Sequence, residues 1–178
     1  MIMSNKPETV TLTGTTLFFS RVHYPKLDLG GLEYSVKLGV TQEHVNQLTS
    51  LGVSTKTARG TDRFRPLIWQ GNTLANISLA CRRKAKSNHV ATDDPTKADN
   101  NIKVTFTDGT PMTDGIGNGS TGNVTFLIRR ENTGVYAHIG SIVITDYIPY
   151  SRQDTQNSST QASVDEAVAN LKSMQTGS

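Results

Sequence analysis

The sequence is poor in cysteine, in charge and in aromatic residues, and these shortages exclude several classes of protein. Its 178 residues include one cysteine, 6% aromatic residues and 19% charged residues. Because a single cysteine forms neither an intramolecular disulfide nor by itself a structural zinc site, a packed core must stabilise the fold. No apolar run approaches the roughly 18 residues of a membrane span, and the start MIMSNKPETV lacks the layout of a secretory signal. We therefore expect a cytoplasmic protein with no membrane partner.

Residues that carry catalytic chemistry are also sparse. The four histidines have no metal-ligand spacing with Cys81 or with paired carboxylates, and there is no nucleophile elbow. The glycine-rich segment 115–122 lacks the Lys-Ser/Thr ending of a nucleotide-binding loop and precedes a predicted strand rather than a helix. The sequence therefore predicts no enzyme, no metal and no cofactor. For segment 115–122 it predicts a tight turn in which backbones approach closely.

Alternation of apolar and polar residues at period two is the dominant pattern, and it indicates β-sheet. Turns are predicted at 107–110 and at 131–134, the second of which closes a hairpin. Six strands are predicted: Val10–Ser20, Glu33–Val40, Leu74–Lys84, Ile102–Phe106, Asn123–Arg130 and Val135–Tyr147.

One internal helix is predicted, at Gln42–Leu51, with Thr41 as its N-cap and Gly52 ending it. Val45, Leu48 and Leu51 recur on one face of this helix and would pack against the sheet. Short strands with one helix in about 150 residues favour an all-β fold, a small OB-fold-like antiparallel β-barrel, over a parallel α/β sheet. A β-sandwich is the alternative.

The composition divides the chain into a domain at 1–150 and a flexible polar tail at 151–178. Within the tail, Ser163 to Glu166 match a capping box. Val164, Ala167, Val168 and Leu171 then recur on one face, which predicts a short amphipathic helix. The alternative is a frayed tail without a role, because an isolated helix this short is marginal in water.

Positive charge is concentrated in the middle of the chain. Residues 56–103 contain ten basic and four acidic residues, whereas residues 1–55 are balanced and residues 104–178 carry a net negative charge. A basic window is typical of proteins that bind a polyanion, since neutralising phosphates releases condensed counterions. The alternative is a solvated surface with unevenly distributed charge.

The predicted strand Leu74–Lys84 has one apolar face, with Ile77, Leu79 and Cys81, and one polar face that becomes basic at its end. A group of cations at a strand end is a candidate phosphate clamp; the alternative is an ordinary exposed strand end. The clamp candidates are Arg82, Arg83, Lys84 and Lys86.

Upstream, arginines and aromatic rings are interleaved in a segment without clear periodicity, which we predict to be a loop. Such a loop can stack unpaired bases on its rings while its guanidinium groups bind phosphates. Alternatively, Phe64 and Trp69 anchor the loop to the core. The candidate binding residues here are Arg59, Arg63, Phe64, Arg65 and Trp69, and Tyr24, Tyr34 and Tyr136 are weaker candidates in or beside strands.

Several stretches follow one another in a distinctive order along the chain. They are Phe19-Ser20-Arg21-Val22-His23-Tyr24-Pro25, Tyr34-Ser35-Val36-Lys37-Leu38, the short helix and basic middle, Phe106-Thr107-Asp108-Gly109, Ile116-Gly117-Asn118-Gly119-Ser120 with Val124-Thr125-Phe126, and Ile142 to Tyr150. In this order the chain resembles the OB-fold single-stranded DNA-binding proteins of tailed bacteriophages. The resemblance covers roughly residues 10–150 and its motifs are diffuse.

The resemblance implies a protein without catalytic residues that coats single-stranded DNA during phage DNA replication, recombination and repair, in the host cytoplasm. Members of that family often end in an acidic tail that contacts replication proteins, but residues 151–178 hold only three acidic residues and two basic ones. If this tail recruits replication proteins, its apolar face is the expected means. The alternatives are a β-rich virion structural or assembly protein and a single-stranded RNA binder. The sequence leaves the oligomeric state open.

Overall fold

The computed structural model describes residues 8–28 and 31–151. Ten strands, one α-helix and a 3₁₀ turn at Pro95–Lys97 follow one another in this part of the chain. The elements are β1 (Glu8–Phe18), β2 (Lys26–Asp28), β3 (Gly31–Gly39), α1 (Gln42–Ser50), β4 (Phe64–Trp69), β5 (Asn72–Lys84), β6 (Lys86–Ser87), β7 (Val90–Ala91), β8 (Lys103–Phe106), β9 (Ser120–Glu131) and β10 (Gly134–Asp146).

Eight of these strands form one sheet in the order β4-β5-β3-β1-β9-β10-β8, with β2 paired to β3, and β6 and β7 form a separate hairpin. The ladders of the sheet are antiparallel except for the parallel pair β8 and β10. β10 also lies against β5, although no ladder joins those two strands in the described residues. The predicted all-β, OB-like fold is confirmed. The sheet is mixed and open along the β5–β10 seam, where the prediction had a wholly antiparallel barrel.

Strict alternation builds the core. In β3 the even positions Leu32, Tyr34, Val36 and Leu38 are buried, and in β9 alternate residues from Ser120 to Ile128 are buried in the same way. All six predicted strands are present, with ends within three residues of those expected. The predicted turns at 107–110 and 131–134 are also confirmed, and the second joins β9 to β10.

The segment 59–66 was predicted to be a loop, and this is wrong for its last three residues, which belong to a strand. Residues Phe64–Trp69 form β4, which pairs antiparallel with β5. The register shifts twice, between Arg65 and Leu67 and again between Leu67 and Ile68. These shifts, together with Pro66, break the alternation that would have identified a strand.

Helix α1 begins and packs as predicted. The Thr41 side chain accepts a hydrogen bond from the His44 backbone N–H (3.2 Å), and the His44 ring accepts one from the Thr41 N–H (3.1 Å). The other ring nitrogen of His44 lies 2.6 Å from the Thr13 carbonyl oxygen, which ties the start of the helix to β1. Val45 and Leu48 are buried against the sheet.

The glycine-rich segment 115–122 brings two backbones together, as predicted. A Cβ on Gly117 would lie 2.3 Å from the Pro149 carbonyl oxygen, and one on Gly122 would lie 2.7 Å from the Val143 carbonyl oxygen. Both distances are far inside van der Waals contact, so these positions require glycine. The predicted helix and partner-binding role of the tail fall after Ser151, outside the described residues.

The single cysteine, Cys81, lies on the inward face of β5, and its burial predicts a thiol that reacts slowly. Cys81 pairs with Val36 and is 7% exposed, and burial raises its pKa to about 12. Because only the thiolate is nucleophilic, we expect a disulfide reagent at pH 8 to modify the folded protein about a thousandfold more slowly than the urea-unfolded chain. Labelling followed by absorbance measures both rates. A folded-state rate within tenfold of the unfolded one would place Cys81 outside the core.

Candidate nucleic-acid interface

The outer face of the β3–β5 ladder presents polar and basic residues. Because side chains alternate along a strand, the residues between the buried positions of β3 and β5 point to the opposite side of the sheet. The cross-strand pairs on this side are Glu33 with Lys84, Ser35 with Arg82, and Lys37 with Ala80.

All of these residues except Lys84 line a groove of about 420 Å³, which we call the basic groove. Four cationic side chains and one carboxylate line it. The carboxylate, Glu33, lies 3.4 Å from the Lys84 ammonium group, so its charge is partly neutralised within the protein. The cations are Arg21, Lys26, Lys37 and Arg82.

An aromatic pair closes one corner of the basic groove. The rings of Phe19 and Trp69 meet edge to face, with centroids 5.3 Å apart and an interplanar angle of 72°. The Lys37 ammonium group lies 5.9 Å from the centroid of the Phe19 ring, within range of a cation–π interaction. The groove thus offers flat rings beside positive charges.

Local backbone structure places both rings. Trp69 ends β4, directly before the two-residue turn Gln70–Gly71, in which both residues have positive φ, 51° and 78°. Phe19 follows β1 with φ of 50°, an uncommon conformation for a bulky side chain. Its N–H donates to Asn118 Oδ1 (2.7 Å), so the segment 115–122 holds the Phe19 backbone in place.

Two of the predicted binding residues, Trp69 and Arg82, line the basic groove, whereas Lys84 does not line it and lies beside it through its ion pair with Glu33. Sequence reasoning missed four other groove residues as binding candidates: Phe19, Arg21, Lys26 and Lys37. Phe19, Arg21 and Lys37 lie in stretches that carry the family resemblance, and this resemblance is the feature of the sequence that could have identified them.

Two predicted binding residues serve the fold instead. Tyr34 is 3% exposed and its hydroxyl donates to Asn101 Oδ1, so its ring is closed to a ligand. Arg83 turns away from Arg82 and donates from Nη1 to the Ile139 carbonyl (3.0 Å), which bridges β5 and β10. Partial burial lowers the pKa of the Arg83 guanidinium, which nevertheless remains charged at neutral pH.

The predicted binding residues at positions 59, 63, 64 and 65 differ from one another in burial and in contacts. Phe64 pairs with Leu79 and packs against the core, which is the anchoring alternative, whereas Arg65 is exposed. Arg63 donates from Nε to the Ser54 carbonyl (2.8 Å). Arg59 is exposed at a turn before β4.

The remaining candidates lie away from the basic groove. Lys86 is exposed on β6, and Tyr24 is 64% exposed without lining the groove. Tyr136, on β10, donates from its hydroxyl to Thr133 Oγ1 (2.8 Å). Together with Arg63 and Arg82 it lines a second cavity on the other side of β5.

Neither a metal-binding cluster nor a membrane-spanning helix is present among the described residues. Histidine, cysteine and acidic side chains form no group of three that could hold a metal ion in residues 8–28 and 31–151. Within the same residues, no helix has the length and apolar character needed to cross a membrane.

Comparison with known proteins gives structural likenesses only. No protein-family model matches the chain, and no curated protein matches it. The crystal structure of gp2.5, a single-stranded DNA-binding protein encoded by bacteriophage T7, matches with a TM-score of 0.50 and 14% identity over 88% of this chain and 97% of that one. The single-stranded DNA-binding protein of bacteriophage Enc34 matches with a TM-score of 0.48 and 10% identity, over 86% and 89%. Its complex with single-stranded DNA gives 0.46 and 12%, over 80% and 89%.

The chain is therefore an all-β protein of OB-like fold. More particularly, it shares the fold of the T7 protein along nearly the whole length of that protein. At the level of fold, this likeness confirms the resemblance to phage single-stranded DNA-binding proteins that the sequence predicted.

Substitutions of the two neighbouring arginines of β5 should affect stability to different extents. Arg83→Ala removes the donor to the Ile139 carbonyl and should lower the free energy of unfolding by about 1 to 3 kcal/mol. Arg82→Ala, on the exposed face, should change it by less than about 0.5 kcal/mol. Urea unfolding followed by circular dichroism measures both. Equal losses in the two variants would contradict the assignment of Arg83 to the fold and Arg82 to the groove.

Proposed function

We propose that this protein binds single-stranded DNA in the basic groove, with little dependence on sequence. The observation that carries the proposal is the juxtaposition of the Phe19–Trp69 ring pair with four cations on the outer face of the β3–β5 ladder. The cations would bind phosphates and release their counterions, and the rings would stack on bases. Since every base has a π-face, such a site tolerates any sequence.

The same arrangement favours an unpaired strand over a duplex. The rings offer stacking surfaces, and in a duplex the faces of the bases are already stacked on their neighbours. Only a single strand can turn its bases into the groove while its phosphates follow Arg21, Lys37 and Arg82. Proteins that read a duplex instead place a helix or strand in a groove of the double helix.

In the cell, the protein would coat and protect single-stranded DNA during phage DNA replication, recombination and repair, in the host cytoplasm. It would act by binding and not by catalysis. Support comes from the fold, since the structurally similar gp2.5 of bacteriophage T7 is a single-stranded DNA-binding protein. Recruitment of replication proteins by the tail is part of this proposal.

Removing the indole tests the stacking role. Trp69→Ala should weaken binding to an unstructured DNA oligonucleotide by about 5- to 150-fold, because one stacked base is worth about 1 to 3 kcal/mol. Fluorescence anisotropy of a labelled oligonucleotide measures the affinity. Trp69→Phe keeps a flat ring and should recover most of the loss. Unchanged affinity in a folded Trp69→Ala protein would remove Trp69 from the binding site.

In the wild-type protein, Trp69 is the only tryptophan, so its emission reports directly on the groove. Two further measurements distinguish the alternative functions. An RNA oligonucleotide of the same sequence that binds more tightly than DNA would favour the RNA-binding hypothesis. Large assemblies detected by light scattering without any oligonucleotide would favour a virion component.

Charge removal tests the phosphate contacts independently of the rings. If the four groove cations each neutralise one phosphate, the slope of log K against log salt should be about −3. Lys37→Ala and Arg82→Ala should each make the slope shallower by about 0.7. Lys103→Ala removes the same charge from an exposed position on β8, at the other end of the sheet, and serves as the matched control. A slope that changes equally in all three variants would indicate a diffuse charge effect and not a groove.

A further inference from the structure

The second cavity lies at the seam where the sheet does not close. β5 and β10 approach each other there without a ladder in the described residues, and Arg83 bridges them through the Ile139 carbonyl. The cavity measures about 250 Å³, and we call it the seam cleft.

The floor and the mouth of the seam cleft differ in chemistry. The alternation of β10 turns Ala137 and Ile139 toward the core and leaves Tyr136 and His138 on the outside. The floor is apolar and includes buried Leu79, Cys81, Phe126 and Ile139, whereas the mouth carries Arg63, Arg82, Tyr136 and His138.

The seam cleft adjoins the basic groove. Ala80, Cys81 and Arg82 line both cavities, so one stretch of β5 separates them. Ala80 projects only a methyl group from this stretch, and Arg82, which is exposed, stands beside it. A strand that leaves the basic groove can therefore cross β5 over Ala80 while a phosphate binds Arg82.

We propose that the seam cleft is a second subsite, which takes a single unpaired base from a DNA strand that has crossed from the basic groove. This inference rests on the proposed function. The phosphate of that nucleotide binds between Arg82 and Arg63, its base stacks on Tyr136, and the apolar floor receives the edge of the ring.

Size and composition select a single base as the occupant. Pockets for drug-sized ligands span about 300 to 1,000 Å³, so a cleft of 250 Å³ suits a smaller flat group. An apolar floor with a few polar groups at its rim is the usual lining for an unstacked base. The two arginines at the mouth complement the phosphate that every such base carries.

Two side chains at the mouth are prepared for this role. Arg63 is held by hydrogen bonds to the carbonyls of Ser54 (2.8 Å) and Lys56 (3.4 Å), which reduces the entropy lost when it binds a phosphate. Partial burial and the nearby guanidinium groups of Arg129 and Arg83 lower the pKa of His138, which favours its neutral imidazole. A neutral imidazole both donates and accepts hydrogen bonds, as recognition of a base edge requires.

An abasic scan tests the seam cleft. A single abasic nucleotide is moved along a DNA oligonucleotide, and the affinity of each oligonucleotide is measured by anisotropy for the wild type, Tyr136→Ala and Tyr136→Phe. In the wild type, one position beyond those that occupy the basic groove should cost about tenfold in affinity, as expected for loss of a stacked base. Tyr136→Ala should abolish the penalty at that position, and Tyr136→Phe, which keeps the ring, should restore it.

The results separate this inference from the proposed function. If the wild type binds and Trp69→Ala weakens it, but every abasic penalty is the same in Tyr136→Ala, the seam cleft is not a subsite and the basic groove stands. If the wild type binds no oligonucleotide, both proposals fail together. Circular dichroism of Tyr136→Ala checks its folding, and should this variant unfold, Tyr136→Leu, which keeps an apolar side chain, replaces it in the scan with the same two outcomes.

Discussion

Antiparallel pairing of β3 with β5 is the interaction on which both the core and the basic groove depend. The register places Val36 opposite Cys81, and both side chains point into the core. The neighbouring pair, Ser35 and Arg82, lies on the outer face. Since side chains alternate, a slip of one residue would bury Arg82 and expose Cys81. The free energy of burying the apolar face therefore also fixes the position of the basic face, and no separate interaction is needed to assemble it.

The rings depend on the ends of strands rather than on their middles. Phe19 lies just after β1 in an uncommon backbone conformation, and Trp69 lies just before the hairpin turn that starts β5. At these strand ends the two rings meet edge to face at one corner of the groove. The Asn118 contact to Phe19 shows why the glycine-rich segment matters: close packing at Gly117 brings a side-chain acceptor to a backbone that has left its strand.

The regular elements could be predicted from the sequence because alternation and capping are local signals, as in β3, α1 and β9. β4 could not, since its two register shifts and Pro66 erase the alternation. The site was predicted only in part for a different reason. The charge window pointed to residues 56–103, whereas Arg21, Lys26 and Lys37 lie in the balanced first third and join Arg82 only through long-range strand pairing. Arg82 and Arg83 are adjacent residues of the same type, and they differ in the face of β5 from which each side chain projects.

The different directions of the Arg82 and Arg83 side chains matter because both residues lie at the seam between β5 and β10. A closed ladder there would satisfy the Ile139 carbonyl with a backbone N–H and leave no cavity; in this protein Arg83 satisfies it with a side chain, and the strands stand apart. The adjacent Arg82 points the other way and lies at the border of both cavities. One arginine thus stabilises the opening and its neighbour faces the solvent beside it. Because consecutive residues of a strand point to opposite faces, a pair of arginines at the edge of such an opening can hold it apart and present charge to a ligand at the same point.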